Sequence, residues 1–241
     1  MRTLHEWRDA GSFLFVSPHP DDVELGCGGT LATLARAGAE VHLAVVTDGR
    51  LGTRDPLRMP DEIALIRSKE QQAAAKELGA KLRMLGLPDG GPHDYYRLRD
   101  RAVALIRDVR PDYVFVCDPY LPYEVHSDHR MVGLAVSEAV LLAGLPHYAG
   151  GSGAAHDTEG ILYYFPRRAT ELSPLDEESL ARRRRALACH RSQFGRDDQY
   201  LERLEAQLRH YGSTAGAIAA EPLHLRRRTE LHIPDPEGME E

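Results

Sequence analysis

Patterns typical of buried strands alternate with helix patterns over the first 145 residues, and this alternation restricts the possible fold most strongly. Strands are predicted over 12–17, 41–47, 81–85 and 113–117. The helices between and after them are predicted from the glycines at 26–29 to Gly38, and over 61–78, 98–109 and 128–143. Strands that are joined by helices form right-handed crossovers and lie parallel in one sheet. The sequence therefore predicts an α/β fold with a mostly parallel sheet and helices on both faces.

Local signals set the expected ends of two of these helices. Asp61 stands where the residue before a helix would accept a hydrogen bond from the first turn, so we expect it to be the N-cap. Gly79 follows the same helix and suits the left-handed conformation that ends many helices. Pro111 requires the next helix to stop near Arg110.

The pattern weakens beyond Gly150, where a loop rich in glycine and small residues runs to Gly160. A further strand is predicted over 161–165 and helices over 176–194 and 197–211. We interpret residues 1–233 as one domain, with a core of about 11–150, a C-terminal elaboration of about 151–233 and a loose tail over 234–241.

Composition narrows the class of protein. Of 241 residues, 42% are hydrophobic and 28% are charged, as in ordinary globular domains, and the net charge of -7 disfavours a nucleic-acid partner. The longest apolar runs are too short for a membrane span, and no secretory signal is visible near the N-terminus. Three widely spaced cysteines form no disulfide framework, so we expect a cytoplasmic protein without a membrane partner.

Two clusters of histidine and aspartate follow predicted strands. In sheets of this kind the functional site lies beyond the carboxyl ends of the strands, which selects the loops after Ser17, Thr47 and Cys117. The first of these loops reads SPHPDDVELGCGG and the third contains HSDHR. Their candidate functional residues are His19, Asp21, Asp22, Glu24, His126, Asp128 and His129.

Imidazole and carboxylate are good ligands for a zinc-like ion, and His19 and Asp22 can face one cavity. One histidine of the second cluster could complete a three-ligand set, which leaves the fourth position open for water. Asp21 would point differently and could contact a bound water. The remaining histidine and aspartate would be free for acid–base chemistry. These features favour a metal-dependent hydrolase.

Three other functions compete with this one. A dinucleotide-binding loop after the first strand would need glycine at position 31, where Leu31 stands. A metal-dependent phosphoesterase with two ions usually has more carboxylate or histidine ligands than these clusters offer. A non-catalytic module that binds a sugar or nucleotide remains as the alternative outside enzymes.

At the level of motifs, the chain resembles the PIG-L/LmbE-like zinc N-deacetylases. HPDDVELGCGGTLA (19–32) is similar to the first signature of that family and HSDHRMVG (126–133) to the second, with Ser127 where most members have proline. Further matching segments are TDGRLGTRDP (47–56), RSKEQQAAAKELGA (67–80), LGLPDGG (85–91) and HRSQF (190–194). The resemblance covers nearly the whole chain.

The resemblance implies a Rossmann-like core that removes an N-acetyl group from an amino sugar. It implies one Zn²⁺ per chain, with His19, Asp22 and His129 as ligands and Asp21 as general base. It assigns His126 to oxyanion stabilisation or protonation of the leaving amine, with Asp128 orienting it. Arg67 would bind sugar hydroxyls, and three further residues are candidates to line the substrate pocket: Asp48, Arg54 and Asp89.

The same resemblance leaves several points open. In some relatives a tyrosine near the second signature assists as an acid, but here Glu124 stands two positions before His126, with Tyr120 and Tyr123 close by. The small-molecule partner would be an amino-sugar conjugate: an N-acetylglucosaminyl malate, a chitobiose-type sugar and an antibiotic precursor all remain possible. Family members often form oligomers, and we expect a homo-oligomer.

Overall fold

The computed structural model describes residues 6–194 and 198–232. Its strands are β1 (Ser12–Ser17), β2 (Glu40–Thr47), β3 (Lys81–Leu87), β4 (Tyr113–Cys117), β5 (Gly160–Tyr164), β6 (Glu171–Leu175) and β7 (Ala219–Arg227). Its helices are α1 (Asp22–Arg36), α2 (Pro60–Leu78), α3 (Tyr95–Val109), α4 (Ser127–Ala143), α5 (Glu177–Cys189), α6 (Arg191–Phe194) and α7 (Asp198–Ala215).

All seven strands form one sheet in the order β3-β2-β1-β4-β5-β7-β6. Strands β1 to β5 are mutually parallel, and β7 runs antiparallel to both β5 and β6. Helices α1, α2 and α5 pack together, while α3 packs against α4. This confirms the predicted α/β fold. The strand order turns back between β1 and β4, so a crevice is expected at their carboxyl ends.

The sheet core is built from β1 and its neighbours, whose side chains are buried on both faces. Phe13, Phe15 and Phe115 are fully buried, and the rings of Phe15 and Phe115 stack with 4.2 Å between their centroids. A strand that is covered on both faces reads as a continuous apolar run, which explains why β1, β2 and β4 were predictable within a residue. This rigid centre carries both sequence clusters.

Two strands of the C-terminal part were missed. β6 contains Pro174 and β7 contains Pro222, and proline lacks the N–H that a sheet ladder uses, so neither segment carries a clear strand pattern. Two helix predictions were also wrong in detail. Met59 rather than Asp61 caps α2, since Pro60 takes the first helical position, and the predicted helix over 176–194 is interrupted at His190.

Strand β7 also braces the first helix. α1 has non-helical dihedral angles at Cys27, and beyond this kink the Gly29 and Thr30 N–H groups donate to the Glu221 carboxylate at 2.9 and 2.7 Å. A side chain at Gly26 would begin only 2.4 Å from the Tyr164 ring, so glycine allows the close approach of helix and sheet. The antiparallel extension therefore supports the helix that begins at the first cluster.

Two further predictions concern membrane-spanning helices and the C-terminal tail. No helix of the described ranges is both long enough and apolar enough to cross a lipid bilayer. The loose tail predicted over 234–241 lies outside the described residues.

Candidate metal centre

The loops after β1 and β4 bring the two sequence clusters together. His19 Nδ1 lies 3.1 Å from Asp22 Oδ2, and His129 Nε2 lies 3.3 Å from Asp22 Oδ1. One possible ligand atom from each of these three residues lies within 4.8 Å of the other two. His19 and Asp22 are buried and His129 is partly buried. The carboxylate therefore lies between two imidazoles at the predicted position.

These three groups suit a metal ion of the zinc type. Two imidazoles and one carboxylate are a known catalytic zinc set, which leaves one coordination position for water or substrate. A second possible group, His19 with Asp89 and His126, lies beside the first. Asp89 Oδ1 is buried and makes no hydrogen bond to any residue that the structure describes, although it is 3.2 Å from His19 Nε2. A carboxylate oxygen in this state is available to a cation.

Each histidine of the first group has a second carboxylate on its other ring nitrogen. Asp128 Oδ2 lies 3.3 Å from His19 Nε2, and Glu124 Oε2 lies 3.2 Å from His129 Nδ1. Such outer carboxylates fix the tautomer and orientation of metal-binding imidazoles. Burial disfavours a charged imidazole at His19, but the surrounding carboxylates of Asp128, Asp22 and Asp89 raise its pKa to about 12. The site thus holds excess negative charge that a divalent cation would balance.

The position of Asp128 differs from the expectation that it orients His126. Its carboxylate contacts His19 and accepts the Gly90 N–H at 2.9 Å, and only its backbone N–H reaches the His126 Nδ1, at 3.3 Å. Asp128 lies inside the first turn of α4, and His126 is the N-cap. The carboxylate therefore points across the crevice to the β1 loop, away from its neighbour in sequence.

His126 is the most accessible of the three histidines. Its side chain is 44% exposed, and its ring centroid lies 4.4 Å from that of His19. Partial burial lowers the pKa of His126, and the neighbouring His19 lowers it further. Because Nδ1 accepts the Asp128 N–H, the neutral ring carries its proton on Nε2. His126 can therefore present an N–H to a bound molecule.

Asp21 lies beside this group without belonging to it. Its backbone is in an unusual left-handed conformation with φ of 109°, and its carboxylate makes no capping hydrogen bond to α1. Arg67 Nη2 contacts Asp21 Oδ2 at 3.0 Å. Burial raises the pKa of Asp21 to about 7, against the opposing effect of the Arg67 charge. A carboxyl group with such a pKa can exchange protons near neutrality.

Arg67 is placed differently from the expected sugar-binding role. It is only 4% exposed, and its guanidinium also donates to the carbonyl oxygens of Pro20 and Gly49. These contacts engage both terminal guanidinium nitrogens within the protein. Arg67 therefore supports Asp21 and the loop backbone.

The three predicted pocket residues differ in their placement. Asp89 belongs to the cluster, next to His19. Asp48 accepts hydrogen bonds from Arg50 and from the Asp89 backbone, so it holds the loop that carries Asp89. Arg54 is exposed, and its side chain makes no hydrogen bond or ion pair to the described part of the chain.

Two supporting residues were not assigned from the sequence. Glu124 contacts His129, and its position two residues before His126 was the available signal. Gln71 accepts the Asp21 N–H and lies four positions after Arg67, hence on the same face of α2. The two tyrosines named as possible acids, Tyr120 and Tyr123, are 63% and 98% exposed.

Comparisons with known proteins agree with this arrangement. The family model for PIG-L, described as GlcNAc-PI de-N-acetylase, matches residues 14–140, which include both clusters. The diacetylchitobiose deacetylase of Thermococcus kodakarensis is 34% identical over 240 residues, which cover 94% of this chain and 87% of that protein. A probable N-acetyl-alpha-D-glucosaminyl L-malate deacetylase 2 of Bacillus cereus is 35% identical over 133 residues, covering 53% of this chain and 60% of that protein.

A solved structure extends the similarity to three dimensions. The N,N'-diacetylchitobiose deacetylase of Pyrococcus horikoshii, in complex with its inhibitor MPG, superposes with a TM-score of 0.87 and 31% identity. The match covers 96% of this chain and 90% of that one. The chain therefore belongs to the PIG-L family of de-N-acetylases, which are amidohydrolases acting on C–N bonds other than peptide bonds.

Proposed function

We propose that this protein is a zinc-dependent hydrolase that removes the N-acetyl group from an N-acetylglucosamine-type amino sugar. The observation that carries the proposal is the His19, Asp22 and His129 group, with the buried Asp21 beside it. Relatives named as deacetylases of diacetylchitobiose and of N-acetylglucosaminyl malate support the substrate class.

In this proposal His19, Asp22 and His129 hold the ion. Asp128 and Glu124 keep both imidazoles in the orientation that ligation needs. Zinc, when bound, polarises an amide carbonyl and lowers the pKa of a bound water to about 7. With three protein ligands, such an ion would keep a position open for water or substrate.

Asp21 acts as general base. It takes a proton from the attacking water, because a carboxyl group with a pKa of about 7 is ionised in a large part of the molecules at neutral pH and still binds a proton well. Arg67 keeps the ionised form accessible in a buried position and holds the carboxylate in place. As the C–N bond breaks, the same carboxyl group can pass this proton on to the leaving amine nitrogen, directly or through His126.

His126 acts on the other side of the reaction. Its Nε2–H can donate to the oxygen that becomes negative when the carbonyl is attacked. The amine needs a proton before the C–N bond breaks, since an amide anion is a very poor leaving group. The exposure of His126 and its position next to His19 suit contact with a substrate that enters from solvent.

The substrate class rests on polar groups at the same edge of the sheet. Asp48 and Arg50 lie in the loop after β2 and are linked to Asp89 through the Asp48 carboxylate. Such groups can bind sugar hydroxyls near the acetyl group.

All three cysteines are free, as a reducing compartment such as the cytoplasm would leave them.

Release of free amine and acetate tests the proposal. We would assay zinc-loaded protein with diacetylchitobiose, N-acetylglucosamine and simple N-acetylglucosamine glycosides, before and after chelation. We expect the wild type to release amine, and we expect the same of Asp108→Asn, a control at an exposed position of α3. In Asp21→Asn we expect the rate of amine release to fall at least 100-fold. Phosphate release from p-nitrophenyl phosphate without amine release would overturn it in favour of a phosphoesterase. Sugar binding without turnover would overturn it in favour of a binding module.

A further inference from the structure

Asp21 has a backbone conformation that its own residue type does not favour. A φ of 109° is strained for any residue with a β-carbon, and such residues persist only when their surroundings hold them. The strained residue is also the one that we propose as general base. The groups that hold its backbone therefore determine where the carboxylate points.

The backbone of Asp21 is held by Gln71. The Asp21 N–H donates to Gln71 Oε1 at 3.1 Å, while Arg67 contacts the Asp21 carboxylate at 3.0 Å. Arg67 and Gln71 are four residues apart on α2 and so lie on one face of that helix. One helix face thus contacts both the main chain and the side chain of the proposed base.

A second buried contact orients the Gln71 amide. Its Nε2 donates to Glu24 Oε1 at 2.6 Å, and both Gln71 and Glu24 are fully buried. Because the Asp21 N–H requires an acceptor and the Glu24 carboxylate requires a donor, only one orientation of the amide satisfies both. A flipped amide would lose both hydrogen bonds.

Behind Glu24 lies His190, the first residue of the HRSQF segment. Its Nε2 is 3.7 Å from Glu24 Oε1, and the imidazole is completely buried, with no hydrogen bond from either nitrogen to the described residues. The HRSQF segment follows α5, so a residue from the C-terminal part of the chain lies next to Glu24. A polar row thus consists of Asp21, Gln71, Glu24 and His190. The reaction steps above use Asp21 alone of these four residues.

We infer that Gln71 is a positioning residue, oriented by Glu24, that holds Asp21 in its left-handed conformation and so aims the proposed base. Among the described residues, Gln71 makes no hydrogen bond to His19, Asp22 or His129. Its loss should therefore slow the chemical step and leave zinc content and substrate binding nearly unchanged. The inference rests on the proposed function for its kinetic consequences only.

Three variants test the inference. Gln71→Met keeps the size of the side chain but removes both hydrogen bonds, and Gln71→Glu keeps the acceptor while placing two carboxylates together. The double variant Gln71→Glu with Glu24→Gln restores a donor and acceptor pair with the charge moved to position 71. Gln72→Met is the matched control, because Gln72 is a neighbouring exposed residue whose side chain donates a hydrogen bond to Ser68.

We expect kcat to fall about 100-fold in Gln71→Met, with KM and zinc content within twofold of wild type, because a small misplacement of a reacting group has this effect. Gln71→Glu should behave similarly, and the double variant should recover at least tenfold. A KM change alone, loss of zinc, or no recovery in a folded double variant would overturn the inference.

A crystal structure of Gln71→Met gives a readout that does not depend on activity. We expect Asp21 to leave the positive-φ region and its carboxylate to move away from Arg67. An unchanged Asp21 backbone in this variant would overturn the positioning role, whatever the activities of the variants. If the wild type released no amine from any substrate, the proposed function would fail, and this structural comparison would still decide the role of Gln71.

Discussion

Arg67 Nη2 lies 3.0 Å from Asp21 Oδ2, and both side chains are at least nine-tenths buried. A buried carboxylate would ordinarily be neutral, since desolvation disfavours its charged form. The ion pair opposes this effect, so Asp21 has a pKa of about 7 instead of a much higher one. Arg67 thereby makes a buried carboxyl group usable as a base near neutral pH.

Replacing Arg67 should therefore alter the pH dependence of turnover. In Arg67→Leu the pKa of Asp21 rises, because the opposing charge is gone while the burial remains. We expect the acidic limb of the kcat/KM profile to move to higher pH by at least about one unit, with at least about a fivefold loss at pH 7. Arg67→Lys, which keeps the charge, should move the limb less. Equal profiles for wild type and Arg67→Leu would contradict this role.

His126→Ala should separate turnover from metal binding. Loss of the proposed oxyanion or acid group is expected to lower kcat by about 100- to 1000-fold, while zinc stoichiometry stays at the wild-type level. Metal analysis and amine release on the same samples give both values. His147→Ala removes an exposed histidine and serves as control. Near-normal turnover in folded His126→Ala would rule out the proposed role.

Glu124→Gln should weaken zinc binding without abolishing it. The carboxylate contacts His129 Nδ1 at 3.2 Å, and losing such an outer partner typically costs 10- to 100-fold in metal affinity. Competition with a zinc chelator measures the change. Glu177→Gln, on the exposed first turn of α5, should match the wild type. An unchanged zinc affinity in Glu124→Gln would show that the carboxylate does not support His129.

The raised pKa of Asp21 also has a consequence for the stability of the metal-free protein. Its folded-state pKa is about 7 and its ordinary value is 3.8, so the folded state binds this proton more tightly. This contribution to stability is complete below pH 3.8 and is lost as pH rises toward and through 7.

Asp21→Asn should remove that contribution. Relative to wild type, the free energy of unfolding of the chelated variant should therefore rise between pH 5 and pH 8, by at least about 1 kcal/mol. Urea denaturation at both pH values measures this difference, and comparison of the two proteins cancels the effects of other titrating groups. A difference that is the same at both pH values would contradict the raised pKa.

The core of the fold was predictable because its signals are local. β1, β2 and β4 are buried on both faces, and glycine or proline marks the ends of α1, α2 and α3. The right-handed crossover then determines that the loops after β1 and β4 lie side by side. Strands β6 and β7 escaped prediction because Pro174 and Pro222 interrupt them and because their pairing is non-local.

The sequence predicts which residues belong to the candidate site better than it predicts which of their side chains contact one another. The sheet rule brings His19 and His129 together, but it does not determine the direction of a side chain. Asp128 reaches His19 across the crevice, and Arg67 lies beneath Asp21, because both directions depend on the packing of α4 and α2 against the loops. Sequence spacing contains no information on such contacts.

Titration of zinc into chelated protein, with amine release from diacetylchitobiose measured at each addition, tests the central claim most directly. We predict that activity is absent without metal, rises with zinc and saturates at about one ion per chain, as one three-ligand site requires. His129→Ala should lose the tight-binding ion and the activity together. Full amine release by metal-free protein, or failure of the folded chain to bind zinc, would contradict the account.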